Sequence, residues 1–160
     1  MSNLFKKIST RETIESICQY KNWQVSDKLK QKRKMSRFLK ALLYTYTKKT
    51  CALSFIFSTD EYVLTINKKF LNHNTFTDII TFDLSNEMLN PNTIIGEIYI
   101  SIDRIKENAK ENQVSQADEL HRVMIHGVLH LCGFGDKTKA EKEQMRALEN
   151  YCLQSYAKFQ

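Results

Sequence analysis

The sequence predicts a single-domain layered sandwich of the α/β (α+β) class, in which a small mixed sheet is flanked by helices. Three observations support this class. Apolar runs with β-branched residues alternate with helical segments in the first hundred residues. After Ser101 only helical periodicity is found. One proline and four glycines leave little linker material, so we expect residues 1–160 to form one domain.

The first predicted helix spans residues 27–48 and is amphipathic. Six apolar residues recur at i, i+3, i+4, i+7, i+8 and i+11 and form one stripe along it. They are Met35, Phe38, Leu39, Leu42, Leu43 and Tyr46. Arg33, Arg37 and Lys40 fall on the other side. We therefore expect the helix to pack through one face and to offer a basic face to solvent.

A buried strand and a short helix are predicted next. Residues 52–57 (ALSFIF) form a short apolar run that is typical of a buried strand. Thr59 can cap a helix over residues 60–71. The end of that helix, Phe70 and Leu71, is expected to point inward.

Two strands and three helices complete the predicted order. The strands are rich in β-branched residues and span residues 78–84 and 94–102. The helices span residues 102–112, 116–132 and 138–157. Ser115 with Asp118, and Thr138 with Glu141, have the spacing of N-terminal capping pairs for the second and third of these helices.

The charge pattern indicates contact with a polyanion. The net charge is +6, and nine Lys or Arg but no acidic residue occur between Lys28 and Lys49. A basic face formed by Arg33, Arg37 and Lys40 predicts contact with RNA as one candidate partner. The alternative interpretation is a solvated helix face with no ligand.

The cysteines and the chain start indicate a cytoplasmic protein. The four cysteines form no C-x-x-C pair, which is typical of free thiols in a reducing compartment. They are Cys18, Cys51, Cys132 and Cys152. The start of the chain has no apolar segment of the secretory type. No stretch has the ~20 apolar residues that a membrane span requires, so no membrane partner is expected.

A candidate metal site lies in the segment IHGVLHLCGFGDK, residues 125–137. His126 and His130 are four residues apart on a predicted helix, which stacks their side chains on one face. The helix around them is apolar almost all round, so two buried imidazoles there need partners, and a metal ion satisfies both. Gly133 can end the helix, and the reversal that follows can return Asp136 to the histidines as a third ligand.

Alternatives to this site remain at the sequence level. Asp136 can instead be a turn or cap residue, although Thr138 already supplies a cap signal. Cys132 as a fourth ligand would make the site structural, whereas three ligands and an open position are typical of catalysis. On the helical wheel Cys132 and His121 both point away from the pair, and His73 cannot be placed.

The motifs resemble the bacterial YbeY endoribonuclease family. HGVLHLCGFGDKT is similar to its signature, with a third ligand six residues after the second histidine. INKKFLNHNTFTDIITFDL, GEIYISIDRIKENA and EKEQMRALE resemble its other segments in the same order, over about residues 60–155. The resemblance implies a single-domain α/β metalloprotein that matures the 3′ end of small-subunit rRNA and acts in ribosome quality control. It implies His126, His130 and the residue at 136 as ligands in the helical C-terminal half.

This chain departs from the family pattern at two positions. Most members have histidine as the third ligand, where this chain has Asp136. The carboxylate adds a negative charge and puts the identity of the metal in doubt. Many members have an arginine implicated in RNA binding or cleavage after the aromatic residue that corresponds to Phe70, and this chain has Leu71 there. Other cations must then hold the phosphate, or catalysis is weaker.

The resulting prediction is metal-assisted hydrolysis of single-stranded RNA, with one Zn²⁺ or another divalent ion per chain. The ion would polarise a phosphoryl oxygen and lower the pKa of a water. Gly127 stands where H-E-x-x-H proteases have glutamate, so the general base is unassigned. Expected partners are rRNA, the small ribosomal subunit and its assembly factors. The alternatives are an RNA-binding assembly factor with a mainly structural metal, and a metal hydrolase of another substrate.

Overall fold

The computed structural model describes residues 17–21 and 31–159 and contains the predicted mixed sheet. Within these residues the sheet has four strands in the order β1-β2-β4-β3. Strands β1, β2 and β4 are parallel, and β3 is antiparallel to β4. The strands are β1 (Ile17–Lys21), β2 (Thr50–Ser58), β3 (Ile79–Asp83) and β4 (Thr93–Ser101).

The helices flank the sheet and dominate the C-terminal half, as expected. They are α1 (Lys32–Thr47), α2 (Asp60–Ile66), α3 (Ile102–Glu111), α4 (Gln116–Leu131) and α5 (Lys139–Lys158). The predicted caps are present: the Ser115 side chain accepts from Asp118 N, and Thr138 forms a reciprocal capping box with Glu141. Ser101, predicted within a strand, is the last residue of β4 and also caps α3. No helix in the described part of the chain is long and apolar enough to cross a bilayer.

The main core brings α1, α4 and α5 together with the sheet. Alternate residues of β2 and β4, among them Phe55 and Ile98, are fully buried against these helices. The stripe predicted for α1 is confirmed, since five of its six residues are buried and Tyr46 is partly buried against the same core. A smaller cluster contains Val63 and Ile66 of α2 with Ile80 of β3. The start predicted for α1, residues 27–30, lies outside the described residues.

The end of the predicted 60–71 helix differs from expectation. The α-helix ends at Ile66 and continues as a π-helical turn over Asn67–Leu71. A π-turn bonds residue i to i+5 rather than i+4, so it rotates the following side chains off the face that a 3.6-residue period predicts. Phe70 and Leu71 are therefore exposed, at 56% and 43%, and the prediction that they point inward is wrong.

Close packing of α4 on the sheet depends on Gly127. A β-carbon there would lie 2.8 Å from Ile79 Cδ1 and 3.0 Å from Thr81 Oγ1. Glycine therefore lets the helix that carries both candidate histidines approach β3 directly. The first residues of β3 are thereby placed next to His126.

We expect Gly127→Ala to lower the free energy of unfolding by about 1 kcal/mol. Overpacking costs ~1–3 kcal/mol, while alanine regains about 1 kcal/mol of helix propensity. Denaturant unfolding measures the balance. Ile79→Val removes the nearest carbon and should return part of the loss in the double variant. A Gly127→Ala protein more stable than the wild type would contradict the close approach, because only the gain in helix propensity would then remain.

Candidate metal centre

The three predicted ligands come together at the C-terminal end of α4. His126 and His130 are four residues apart, and their Nε2 atoms lie 2.9 Å from each other. Gly133 ends the helical segment with a φ of +92°, and the chain then reverses. Asp136 Oδ2 lies 3.8 Å from His126 Nε2 and 3.6 Å from His130 Nε2. One donor atom from each residue lies within 4.8 Å of the other two. We call His126, His130 and Asp136 the donor group.

Both imidazole rings are oriented through their other nitrogen. His126 Nδ1 lies 2.8 Å from Glu149 Oε1, and His130 Nδ1 lies 2.9 Å from the carbonyl oxygen of Phe134. Both partners are acceptors, so each Nδ1 carries the ring proton and donates a hydrogen bond. The Nε2 atom of each ring then has a free lone pair, which faces the other ring. Metal-ligating histidines have this arrangement, with the second ring nitrogen bonded to a carboxylate or a carbonyl.

The donor set fits a divalent metal ion. Two Nε2 lone pairs and a carboxylate oxygen converge, and such a group repels itself unless a cation lies between its members. Two imidazoles and one carboxylate are normal zinc donors, and three protein ligands leave a position open. The residues present could therefore hold one ion.

Glu149 is a site residue that the sequence analysis missed. It lies on α5, is buried, and accepts hydrogen bonds on Oε2 from Arg122 Nη1 at 3.0 Å and Arg146 Nη1 at 3.2 Å. Its other oxygen, Oε1, accepts the hydrogen bond from the Nδ1–H of His126. A signal was available in the sequence: Glu149 follows Met145 by four residues and precedes Cys152 by three, so it shares one helix face with these apolar residues, where a carboxylate requires partners.

The pKa shifts agree with this network of contacts. Burial alone would lower the pKa of His126, but the hydrogen bond to Glu149 and the charges of Glu149, Asp78 and Asp136 raise it overall. Burial, followed by the charge of His126, lowers the pKa of His130. Burial acts upward on Glu149, but the hydrogen bonds from His126 and Arg122 hold its pKa below the usual value. Glu149 is therefore a carboxylate at neutral pH.

Three other candidates lie outside the donor group. Cys132 packs against the core, and burial raises the pKa of its thiol to about 12, so it remains protonated. The His121 ring packs edge-on against the ring of Tyr156, with centroids 4.8 Å apart. His73 is exposed in the segment before β3. Among the described residues, only His126, His130 and Asp136 form a group that could hold a metal.

The basic face of α1 is separated from the donor group. Arg33 and Arg37 are exposed and Lys40 is half-buried. Tyr46 lies at the end of α1 that is nearest the donor group. The centroid of its ring is 5.1 Å from that of Phe134. At 1.5 Å per residue, the three basic residues lie roughly 9 to 20 Å before Tyr46 along the helix axis. Contact of these residues with RNA remains a prediction.

Comparison with known proteins supplies the family. A sequence model described as endoribonuclease YbeY matches residues 17–157. The chain is 43% identical to endoribonuclease YbeY of Parabacteroides distasonis over 77% of this chain and 84% of that protein. It is 45% identical to endoribonuclease YbeY of Cytophaga hutchinsonii, over 78% of this chain and 85% of that protein. For endoribonuclease YbeY of Flavobacterium psychrophilum the identity is 38%, over 84% and 94%.

A solved structure shares the fold. The solution structure of a protein from Thermotoga maritima aligns with a TM-score of 0.55 and 23% identity, over 89% of this chain and 91% of that chain. The predicted layered fold is thus found in a known protein. The family match spans β1 to α5 and includes the donor group. The chain belongs to the endoribonuclease YbeY family.

Proposed function

We propose that this chain cleaves single-stranded RNA at the donor group, as a metal-dependent endoribonuclease in the maturation of the 3′ end of small-subunit rRNA and in ribosome quality control. The arrangement of His126, His130 and Asp136 carries the proposal, since their donor atoms lie within 4.8 Å of one another. Membership of an endoribonuclease family supports RNA as substrate. The expected partners are the small ribosomal subunit and its assembly factors, in the cytoplasm.

The donor group would hold one zinc-type ion per chain. Three protein ligands with one open position are typical of catalytic zinc sites. When bound, the ion polarises a phosphoryl oxygen and lowers the pKa of a water. The oxygen donor of Asp136 is also compatible with other divalent ions.

Residues around the donor group keep it in position. Glu149 holds the ring of His126, and the Phe134 carbonyl holds that of His130. Arg122 and Arg146 neutralise Glu149, so its charge does not compete for the ion as a free carboxylate would. The rings are therefore oriented before substrate arrives, which preserves catalytic geometry.

Removal and return of the metal test this proposal. The purified protein should contain about one zinc-type ion per chain by elemental analysis. Stripping the ion with a chelator should abolish cleavage of a single-stranded RNA, and reconstitution should restore it. Circular dichroism of the stripped protein shows whether the fold persists without metal.

Other outcomes separate the alternatives. If cleavage persists without metal, or the protein contains no metal and takes up none, the donor group is not the active site. If the metal is present and RNA binds but is never cleaved, the protein is an assembly factor with a mainly structural ion. If neither binding nor cleavage of RNA is seen, a different hydrolase substrate is indicated.

A further inference from the structure

A cluster of exposed apolar side chains lies just before β3. Within the described residues, Phe70, Leu71 and Phe76 are large hydrophobic side chains with 56%, 43% and 51% of their surface exposed. They fall in one short segment, residues 67–77, which we call the aromatic loop. Exposed apolar groups that cluster beside polar residues mark binding surfaces more often than isolated ones do.

The aromatic loop is held in shape by Asn67. This asparagine is buried at the start of the loop, and its side-chain amide donates to the carbonyl of Thr75 at 2.8 Å. The backbone N–H of His73 donates to the carbonyl of Asn67 at 3.3 Å, after Asn72 adopts a left-handed conformation with φ 57°. Because the backbone is tied at both ends, the exposed rings are presented in a fixed arrangement before any ligand binds.

The ring of Phe76 is supported by Arg104. The guanidinium carbon lies 4.9 Å from the ring centroid. Arg104 is itself fixed by Asp60 and Glu107, each at 2.7 Å. A cation stacked on an aromatic ring covers one side of it. Half of the Phe76 surface nevertheless remains exposed, so the ring is positioned and still available for contact.

The neighbouring part of the loop adds an aromatic ring and positive charge. Phe70 packs edge-on against Phe82, with centroids 5.5 Å apart. The ammonium of Lys69 lies 5.1 Å from the Phe70 centroid, and Lys68 is exposed beside it. No Asp or Glu occurs in residues 62–77. Proteins bind single-stranded nucleic acid with aromatic rings, on which the bases stack, and with cations placed along the phosphate backbone of the nucleic acid.

The aromatic loop leads directly to the donor group. The loop runs into Asp78, the residue directly before β3 (Ile79–Asp83). The next residue, Ile79, packs where Gly127 leaves space beside His126. Phe76 precedes Asp78 by two residues, or about 7 Å of extended chain. An RNA strand that has a phosphate at the donor group can therefore place a neighbouring base on the ring of Phe76.

We propose that the aromatic loop is a base-stacking surface for the RNA substrate, with Phe76 as its platform, an inference that rests on the endoribonuclease function proposed above. Bases of a duplex have both faces covered by their neighbours, whereas unpaired bases can stack on an aromatic side chain. The surface thus accepts single-stranded RNA and rejects paired RNA. Lys68 and Lys69 attract the backbone without reading sequence.

Binding of two probes by the metal-loaded protein tests this surface. One probe is a fluorescent single-stranded oligonucleotide with 2′-O-methyl sugars, and the other is an abasic oligomer of the same length and charge. Phe76→Ala should weaken binding of the first by about 5- to 150-fold, as expected for one lost stacking contact. It should leave binding of the abasic oligomer and the salt dependence unchanged, because no cation is removed.

Two variants serve as controls. Phe76→Tyr keeps the ring and should bind both probes as the wild type does, which shows that an aromatic ring is what the site requires. Unchanged binding of the abasic oligomer by Phe76→Ala shows that the fold is intact. Leu89→Ala removes another exposed hydrophobic side chain, 78% exposed in the turn at the opposite end of β3, and should change neither affinity.

The possible results separate this surface from the function on which it depends. Equal loss for both probes, or no loss for either, would overturn the stacking role while wild-type cleavage of RNA keeps the endoribonuclease function. If Phe76→Ala leaves RNA binding intact, Phe76 is available for a protein partner instead. Failure of the metal-loaded wild type to bind or cleave single-stranded RNA overturns both.

Discussion

Replacing Asp136 with alanine is expected to lower zinc affinity by at least 10- to 100-fold. Loss of an outer partner of a ligand already costs that much, and Asp136 is proposed as a direct donor. Its carboxylate lies 3.6 to 3.8 Å from the two histidine nitrogens. Two imidazoles alone would remain. Competitive titration of zinc against a chromogenic chelator measures the loss.

Asp136→His separates a ligand role from a turn role. Histidine at this position would supply a third imidazole, which is a normal zinc donor, and should restore affinity close to the wild-type value. If Asp136 only shaped the turn, histidine would be no better than alanine and all three proteins would bind zinc equally. Lys137→Ala, an exposed neighbour in the same turn, is the matched control and should bind as the wild type does.

Replacing Glu149 with alanine is expected to weaken both the metal site and the fold. His126 loses the carboxylate that fixes its ring, which should lower zinc affinity by about 10- to 100-fold. Arg122 and Arg146 lose a buried counter-charge, which should lower the free energy of unfolding by about 3 kcal/mol. This value is the lower end of the about 3–5 kcal/mol that removal of one partner from a buried ion pair costs. The lower end applies because the side chains of Arg122 and Arg146 are partly exposed, at 21% and 56%.

Glu149→Gln distinguishes the two effects. The amide oxygen of glutamine can still accept the hydrogen bond from His126 Nδ1, so zinc affinity should fall less than in Glu149→Ala. The ion pairs with both arginines are lost in either variant. Zinc titration and denaturant unfolding of the metal-free proteins report the two effects independently. Glu143→Ala, an exposed carboxylate on the same helix, should leave both measurements unchanged. Unchanged zinc affinity in Glu149→Ala would remove Glu149 from a positioning role.

The donor group could be predicted from the sequence because its geometry is local. A spacing of four residues places His126 and His130 on the same face of any helix. Glycine readily adopts the left-handed conformation with which helices end, so Gly133 marks the end of this one. The same holds for the caps at Ser115 and Thr138, which depend on residues three positions away. The α1 stripe also followed from periodicity alone.

Features that depend on distant contacts could not be predicted in this way. Strand β1 was missed, because its parallel pairing with β2 joins residues more than thirty positions apart. Glu149 lies 23 positions from His126, so their contact depends on how α5 packs on α4. The π-helical turn at Asn67 occurs together with a buried side chain that bonds eight residues ahead, a contact that periodicity does not report. Periodicity extended the helix through this turn and placed Phe70 inside.

The short span of the donor group affects what an ion does for stability. All three donors lie within residues 126–136, so an unfolded chain keeps them near one another and retains some affinity for the ion. A ligand that binds both states stabilises the native state only by the difference between the two affinities. Glu149, which is remote in sequence, orients His126 only once α5 has docked. The gain in thermal stability from zinc therefore reports on the preorganisation that folding adds, including the orientation of His126 by Glu149, and not on the affinity itself.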